Sequence, residues 1–134
     1  MKKVLLILLI LPLILLCGFR RVQKPFVILS TGTITSSSVQ RVERYFNVNQ
    51  RINFALIIPE KLKYAGVRMQ ISKQSDKTSN WGFSIIETKD LYIVDGDKAY
   101  RGYIVPRTKG RYIIQFFYLN KKNYPFVHKE FMVL

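Results

Sequence analysis

The sequence predicts an all-β protein, a single β-sandwich of about seven to eight short strands behind an N-terminal hydrophobic signal or anchor helix. Two observations favour this fold class. From residue 26 onward, apolar and polar residues alternate in short runs, separated by turn residues at intervals of roughly 8–12 residues. Helical periodicity is missing after the first two dozen residues, where a basic start leads into an unbroken apolar run.

Residues 1–19 are predicted to be a signal peptide or a membrane anchor. Lys2-Lys3 precede an apolar run from Val4 to Leu16, which is the layout of an export signal. The run is shorter than the about 20 apolar residues that a membrane-spanning helix needs, and Pro12 would kink such a helix. Export therefore explains this segment better than a full membrane span.

Cys17 lies where the apolar run ends, and Gly18 follows it. In this respect residues 2–18 resemble a bacterial lipoprotein signal, in which the cysteine becomes the lipid-bearing first residue of the mature protein. The resemblance implies that Cys17 is lipidated. An uncleaved anchor and an ordinary cleaved signal peptide are the alternatives.

The remainder of the chain has room for one domain. Residues 20–38 are expected to form a tether that includes the first strand, because the Ser/Thr-rich stretch has no periodic apolar face. Residues 39–134 are expected to form the β-sandwich. Cys17 is the single cysteine, so the domain can hold neither a disulfide nor a thiolate metal site. A cysteine-free exported domain fits a bacterial cell envelope.

The charge of the chain is strongly basic, with 22 Lys and Arg against 8 Asp and Glu, a formal net charge of +14. In the cytoplasm such a charge would indicate nucleic acid as the partner. An exported domain instead meets phospholipid headgroups, cell-wall polymers and other anionic polymers. The basic residues are scattered along the chain, so a solvated basic surface without a partner is the simpler alternative.

The strands follow from short apolar runs. Residues 39–46, with Val39, Val42 and Phe46, are compatible with a helical turn or with a strand. Predicted strands cover Val27–Leu29, Val48–Ile58, Val67–Ile71, Trp81–Ile85, Leu91–Val94, Tyr100–Val105, Tyr112–Leu119 and Phe126–Val133. The run from 112 to 119 is apolar on both faces, which predicts a central strand covered on both sides. Asp95-Gly96-Asp97 predicts a turn.

Tyr112 follows a turn-forming stretch, Pro106 to Arg111, and begins the longest apolar strand. This arrangement resembles the start of the penultimate strand in an immunoglobulin-like sandwich, where a tyrosine hydroxyl bonds back to the preceding corner. The resemblance implies an immunoglobulin-like fold. A tyrosine that only packs in the core is the alternative.

Residues that could support catalysis are scarce. His128 is the single histidine, and strand alternation places it on the same face as Glu130. It has no cysteine nucleophile to activate and no second histidine with which to share a metal, so neither a catalytic triad nor a zinc site can be built in the usual way. Asp95 and Asp97 lack the spacing of a calcium loop, and glycine-rich phosphate loops are missing. We therefore expect no enzymatic activity, metal, cofactor or small-molecule substrate.

A partner-binding patch is predicted between residues 100 and 111, which are expected to form one hairpin. Alternation places Tyr100, Gly102 and Ile104 on one face of the first strand. Tyrosine and arginine are enriched where proteins bind partners. The predicted patch comprises Arg101, Tyr103, Arg107, Lys109 and Arg111. The loop at 75–80 before Trp81 is a weaker candidate.

These observations predict a non-enzymatic bacterial envelope protein, tethered to the membrane through its N-terminus. Its basic β-sandwich is expected to bind another envelope component, either a protein or anionic polymers and lipid headgroups, and not nucleic acid. The alternative is a surface-exposed, adhesin-like module that binds acidic polymers electrostatically. Both place the domain outside the cytoplasm, at the periplasmic face of a membrane or at the cell surface.

Overall fold

The computed structural model describes residues 23–36, 43–75 and 82–134. Over these residues the chain forms strands and no α-helix, and the predicted all-β class is confirmed. The strands are β1 (Phe26–Ser30), β2 (Tyr45–Phe46), β3 (Ile52–Ile57), β4 (Gly66–Gln74), β5 (Phe83–Tyr92), β6 (Ala99–Ile104), β7 (Gly110–Tyr118) and β8 (Val127–Val133). The predicted N-terminal helix and Cys17 lie outside the described residues.

The strands form two sheets. The smaller sheet has the order β1-β3-β6, and the larger has the order β2-β8-β7-β4-β5. Neighbouring strands are antiparallel except for β2 and β8, which are parallel. β1 pairs with β3 from Phe26 to Ser30, so the first strand expected within residues 20–38 belongs to the smaller sheet.

One hydrophobic core joins the two sheets. Leu29, Phe54 and Leu56 reach it from the smaller sheet, and Val67 and Phe116 reach it from the larger one. Their side chains share a face because successive residues of a strand point to opposite sides. Burial of this apolar surface is the main force that holds the sheets together.

β7 is a central strand, as its two apolar faces predicted. It lies between β8 and β4, and it carries Tyr112, Ile114 and Phe116 into the core. On its other face Phe117 is also buried. β7 and β8 pair antiparallel and form a hairpin.

The predicted hairpin of residues 100–111 is wrong. β6 pairs with β3 in the smaller sheet, whereas β7 pairs with β4 and β8 in the larger sheet. The segment between them crosses from one sheet to the other, and the carbonyl of Pro106 accepts a hydrogen bond of 2.8 Å from the backbone N–H of Asn49. Two apolar strands with a short connection need not pair, because each can find a better-matched neighbour elsewhere in the chain.

β5 also differs from the expected pattern. The two apolar runs around Ile85 and Leu91 belong to one ten-residue strand that continues through the charged residues between them. Its backbone pairs with β4 along its whole length, with a bulge at Ile71/Ser72. Leu91 is the one buried residue of β5, which forms an edge of the larger sheet.

Candidate functional site

The candidate site is built on β6, whose alternation separates core from surface. Tyr100 and Ile104 pack on the core, while Arg101 and Tyr103 are exposed on the opposite face. Tyr103 keeps 56% of its surface accessible. Gly102 lies on the core side, where an added Cβ would approach the Phe54 ring to 2.6 Å. The glycine thus lets β6 lie close to the aromatic core while its polar face stays outside.

Arg51 completes the exposed face from the neighbouring strand. β3 and β6 are in register with Asn53 opposite Tyr103, and this brings Arg51 beside the same ring. Its guanidinium carbon lies 4.1 Å from the centroid of Tyr103, a cation–π contact. The Arg51 Nε donates a 3.2 Å hydrogen bond to Oδ1 of Asn53. A cation–π contact and a hydrogen bond therefore hold the Arg51 guanidinium over the Tyr103 ring.

Arg101 has a structural contact as well as an exposed position. Its Nη1 donates a 2.8 Å hydrogen bond to the carbonyl oxygen of Ile34, in the segment that follows β1. Ile34 is buried next to Ile28 and Ala55. Arg101 thus fastens the segment after β1 across the outer face of the smaller sheet.

These residues surround a surface cavity of about 410 Å³. Its lining consists of Thr33, Ile34, Arg51, Asn53, Phe54, Arg101, Gly102 and Tyr103. Among the described residues that line it there are two guanidinium groups and no carboxylate. The cavity therefore offers hydrogen-bond donors and positive charge beside an aromatic face, a combination that suits an anionic or carbonyl-rich group.

The structure brings together three of the five residues predicted for the patch. Arg101, Tyr103 and Arg107 line a second cleft of about 500 Å³ between β6 and the side chains of Glu87 and Lys89 on β5. The Nη1 of Arg107 donates a 3.3 Å hydrogen bond to Oδ1 of Asn49. Lys109 is exposed in the connection to β7.

Arg111 lies apart from the other four, on the larger sheet. Its Nε donates a 3.1 Å hydrogen bond to Oε2 of Glu130, and its Nη2 bonds the same oxygen. The pair lines a separate cavity of about 390 Å³ that also includes the exposed His128. The predicted patch is therefore divided, because β6 and β7 belong to different sheets.

Sequence reasoning missed Arg51. Its alternation with Ile52 and Phe54 does place it on the face opposite the core, but the pairing of β3 with β6 joins segments that are far apart in sequence. A local pattern has no information about that pairing. The weaker candidate loop before Trp81 lies largely outside the described residues, which omit 76–81.

An ion pair between β4 and β5 shows the clearest electrostatic effect. Arg68 donates two hydrogen bonds to the carboxylate of Asp90, from Nε at 2.7 Å and from Nη2 at 2.9 Å. The hydrogen bond from Arg68 lowers the pKa of Asp90 below its ordinary value of 3.8, and the same bond raises the pKa of Arg68. This pair joins the edge strand to the sheet.

Across residues 23–36, 43–75 and 82–134, no group of three His, Cys, Asp or Glu side chains is arranged to hold a metal ion. Asp95 is paired with Lys61 at 2.8 Å. Asp97 closes the predicted turn, because its Oδ2 accepts a 3.0 Å hydrogen bond from the N–H of Val94.

No helix within that described part of the chain is both long and apolar enough to cross a membrane.

No protein-family model matches the sequence. No curated protein matches it significantly.

Proposed function

We propose that the protein is a non-enzymatic, membrane-tethered component of a bacterial cell envelope, and that its basic β-domain binds another envelope component. The leader pattern with Cys17 supports the tether. The contact surface is the outer face of β3 and β6, formed by Arg51, Arg101 and Tyr103. The single observation that carries the binding function is the Arg51 guanidinium held 4.1 Å from the exposed Tyr103 ring.

This surface has the properties of a binding site because part of its geometry is fixed before a partner arrives. Arg51 is oriented by Asn53 and by the Tyr103 ring, so less conformational entropy is lost when it forms a new bond. Tyr103 adds a wide apolar face with a polar hydroxyl. A protein partner with carbonyl or carboxylate groups beside an apolar side chain would match this arrangement.

A second function, electrostatic binding of acidic polymers by an adhesin-like module, is favoured by a different observation. The chain carries a formal net charge of +14, and no acidic residue lines the described cavity beside Arg51. The two functions differ in their salt dependence. Affinity for a polyanion falls steeply as salt screens the charges, whereas affinity for a largely apolar protein contact changes little.

The domain itself is proposed to be an immunoglobulin-like sandwich. The supporting observation is the Tyr112 hydroxyl, which donates a 2.7 Å hydrogen bond to the carbonyl oxygen of Thr108 at the start of the penultimate strand.

The tether is tested by cell fractionation combined with mass analysis of the mature N-terminus, for the natural chain and for Cys17→Ser. A lipid on Cys17 and a membrane-bound domain are expected, and Cys17→Ser should lose the lipid. An intact Met1 on a chain found free in the cytosol would overturn both the tether and the compartment.

The binding surface is tested with the full chain in detergent, using polyglutamate and mixed micelles that contain phosphatidylglycerol as two anionic probes. Site-specific photocrosslinking at Tyr103 in cells is the probe for protein partners. Tyr103→Ala and Arg51→Ala should weaken binding, and Tyr124→Ala should not. Tyr124 is a matched control because it is 83% exposed and lies in the turn between β7 and β8. Equal losses for all three variants would contradict the assignment of this face.

A further inference from the structure

β5 presents a strand edge that no other described strand covers. It is the last strand of the larger sheet and pairs with β4 on one side. Such an edge carries backbone N–H and C=O groups that can pair with another strand. Its length of ten residues and the exposure of nearly all of them make it the most accessible edge in the described part of the chain.

We propose that β5 pairs antiparallel with β5 of a second copy of this chain, with Thr88 opposite Thr88 of that copy. A two-fold axis perpendicular to the sheet relates the two strands. The pairing joins two five-stranded sheets into one continuous sheet. The argument for a second copy as the occupant is the charge pattern of β5 itself.

Only residues on the same face of the sheet can lie opposite each other in such a pair, which leaves few registers. With Thr88 at the centre, Glu87 of each copy lies opposite Lys89 of the other, so two opposite-charge pairs form. A centre at Glu87, Lys89 or Asp90 places two identical charges directly opposite each other, which is destabilising. Centres at Ile85, Ile86 or Leu91 bring no two charges together, so the Thr88-centred register is the one that forms opposite-charge pairs.

Glu87 and Lys89 of β5 lie on the face of the larger sheet that packs against the core. Glu87 pairs with Ile71 and Lys89 pairs with Met69, and both of these partners are buried in the core. Glu87 and Lys89 themselves are exposed, and they line the cleft between β5 and β6. Charges on the inner side of an edge strand repel apolar strands that might add to it. The β5 strand of a second copy, in contrast, places Lys89 opposite Glu87 and Glu87 opposite Lys89, so each charge has a partner of opposite sign.

The edge of β5 differs from the surface proposed for partner binding, although Arg101 and Tyr103 line the same cleft as Glu87 and Lys89. Arg51 and Tyr103 belong to the smaller sheet and point away from the core, whereas β5 is the edge of the larger sheet. Pairing of β5 leaves the Arg51–Tyr103 face uncovered. The two proposals can therefore fail independently.

The first test measures the mass of the full chain in detergent by sedimentation, for the natural sequence and for charge variants. The natural chain should form dimers, while Glu87→Lys alone and Lys89→Glu alone should be monomers, since each places like charges opposite each other. An equimolar mixture of the two single variants should form heterodimers, because their charges are again complementary. Lys98→Glu is the control, with the same change of charge at an exposed residue outside β5, and it should still dimerise.

The second test measures register by disulfide formation in the Cys17→Ser background. In the proposed register, the Cα atoms of the two Thr88 residues lie about 4.5–5.5 Å apart, within the about 4.4–6.8 Å that a disulfide spans. Thr88→Cys should therefore crosslink rapidly with a mild oxidant. Ser84→Cys should not, because Ser84 lies four residues from Thr88 along β5, so the two introduced thiols would be roughly 27 Å apart at about 3.4 Å per residue.

Three outcomes would overturn the proposal. A natural chain that stays monomeric at all concentrations would show that the edge is not used between copies. A dimer that survives both single charge variants would show that another surface holds it. Crosslinking of Ser84→Cys as fast as Thr88→Cys would show random collision or another register.

Discussion

The hydroxyl of Tyr112 donates a 2.7 Å hydrogen bond to the backbone carbonyl oxygen of Thr108, four residues earlier in the chain. The hydroxyl of Thr108 lies 3.0 Å from the same tyrosine oxygen and also accepts a 2.8 Å hydrogen bond from Nζ of Lys73. The Tyr112 ring stacks on Phe131 in the core. A single side chain thus anchors the loop between the sheets to the centre of the larger sheet.

Tyr112→Phe keeps the ring and removes only the hydroxyl. We expect a loss of about 1 kcal/mol in the free energy of unfolding, the usual contribution of one such hydrogen bond. The measurement is equilibrium unfolding in urea, followed by tyrosine and tryptophan fluorescence. Tyr103→Phe is the control, since its ring is largely exposed. Equal stabilities for Tyr112→Phe and the natural chain would show that the hydroxyl is satisfied equally well by water.

Gly102→Ala should destabilise the domain by roughly 1–3 kcal/mol, the range for overpacking of a core. The added Cβ would lie 2.6 Å from Cζ of Phe54, and that ring is confined by Tyr100 and Phe116. The same urea unfolding measures it. Gly32→Ala serves as the control, because its Cβ would meet the Ser30 Oγ at an ordinary 3.9 Å. A neutral Gly102→Ala would mean that Phe54 can move aside.

The Arg68–Asp90 pair should make stability depend on pH in the acidic range. Because the pKa of Asp90 is lowered in the folded state, its contribution is fully present above the ordinary value of 3.8 and is lost as the pH falls through the lower, folded-state pKa. Asp90→Asn should therefore be less stable than the natural chain at neutral pH, and the difference should shrink on acidification.

Thermal unfolding between neutral and strongly acidic pH measures this difference, with Glu60→Gln as a control that removes one carboxylate elsewhere. A gap between Asp90→Asn and the natural chain that stays constant down to strongly acidic pH would contradict the assignment. High salt should reduce the gap at neutral pH, since both partners are partly exposed.

Arg101 and Tyr103 are neighbours in the candidate site but should differ in their effect on stability. Arg101→Ala loses the hydrogen bond to the Ile34 carbonyl and should cost about 1 kcal/mol in the free energy of unfolding. Tyr103→Ala loses an exposed ring and its cation–π contact and should cost less, about 0.5 kcal/mol. Urea unfolding of both variants distinguishes them. A larger loss for Tyr103→Ala would reverse the roles assigned to the two residues.

Much of the strand pattern could be predicted from sequence because burial and alternation are local. The central position of β7 follows from its two apolar faces, and the turn at Gly96 follows from a residue that tolerates its φ of 94°. The bond between Tyr112 and Thr108 lies within five consecutive residues, so a local motif could indicate it.

The pairing of distant strands could not be predicted in this way. β6 follows β5 and precedes β7, yet it pairs with β3, and the choice depends on the complementarity of two faces in three dimensions. The contact of Arg51 with Tyr103 depends on that pairing. The charged middle of β5 was missed as strand for a related reason: its ladder with β4 sustains it without core burial.

The register of β1 against β3 determines how the domain bears mechanical load. All five residues of β1 are matched to β3, from Phe26 opposite Ile57 to Ser30 opposite Asn53. Tension applied along the strand through the residues before Phe26 would load these backbone bonds in shear, so that they share the force instead of opening one after another. A domain pulled from this end would resist extraction by the combined strength of a whole strand.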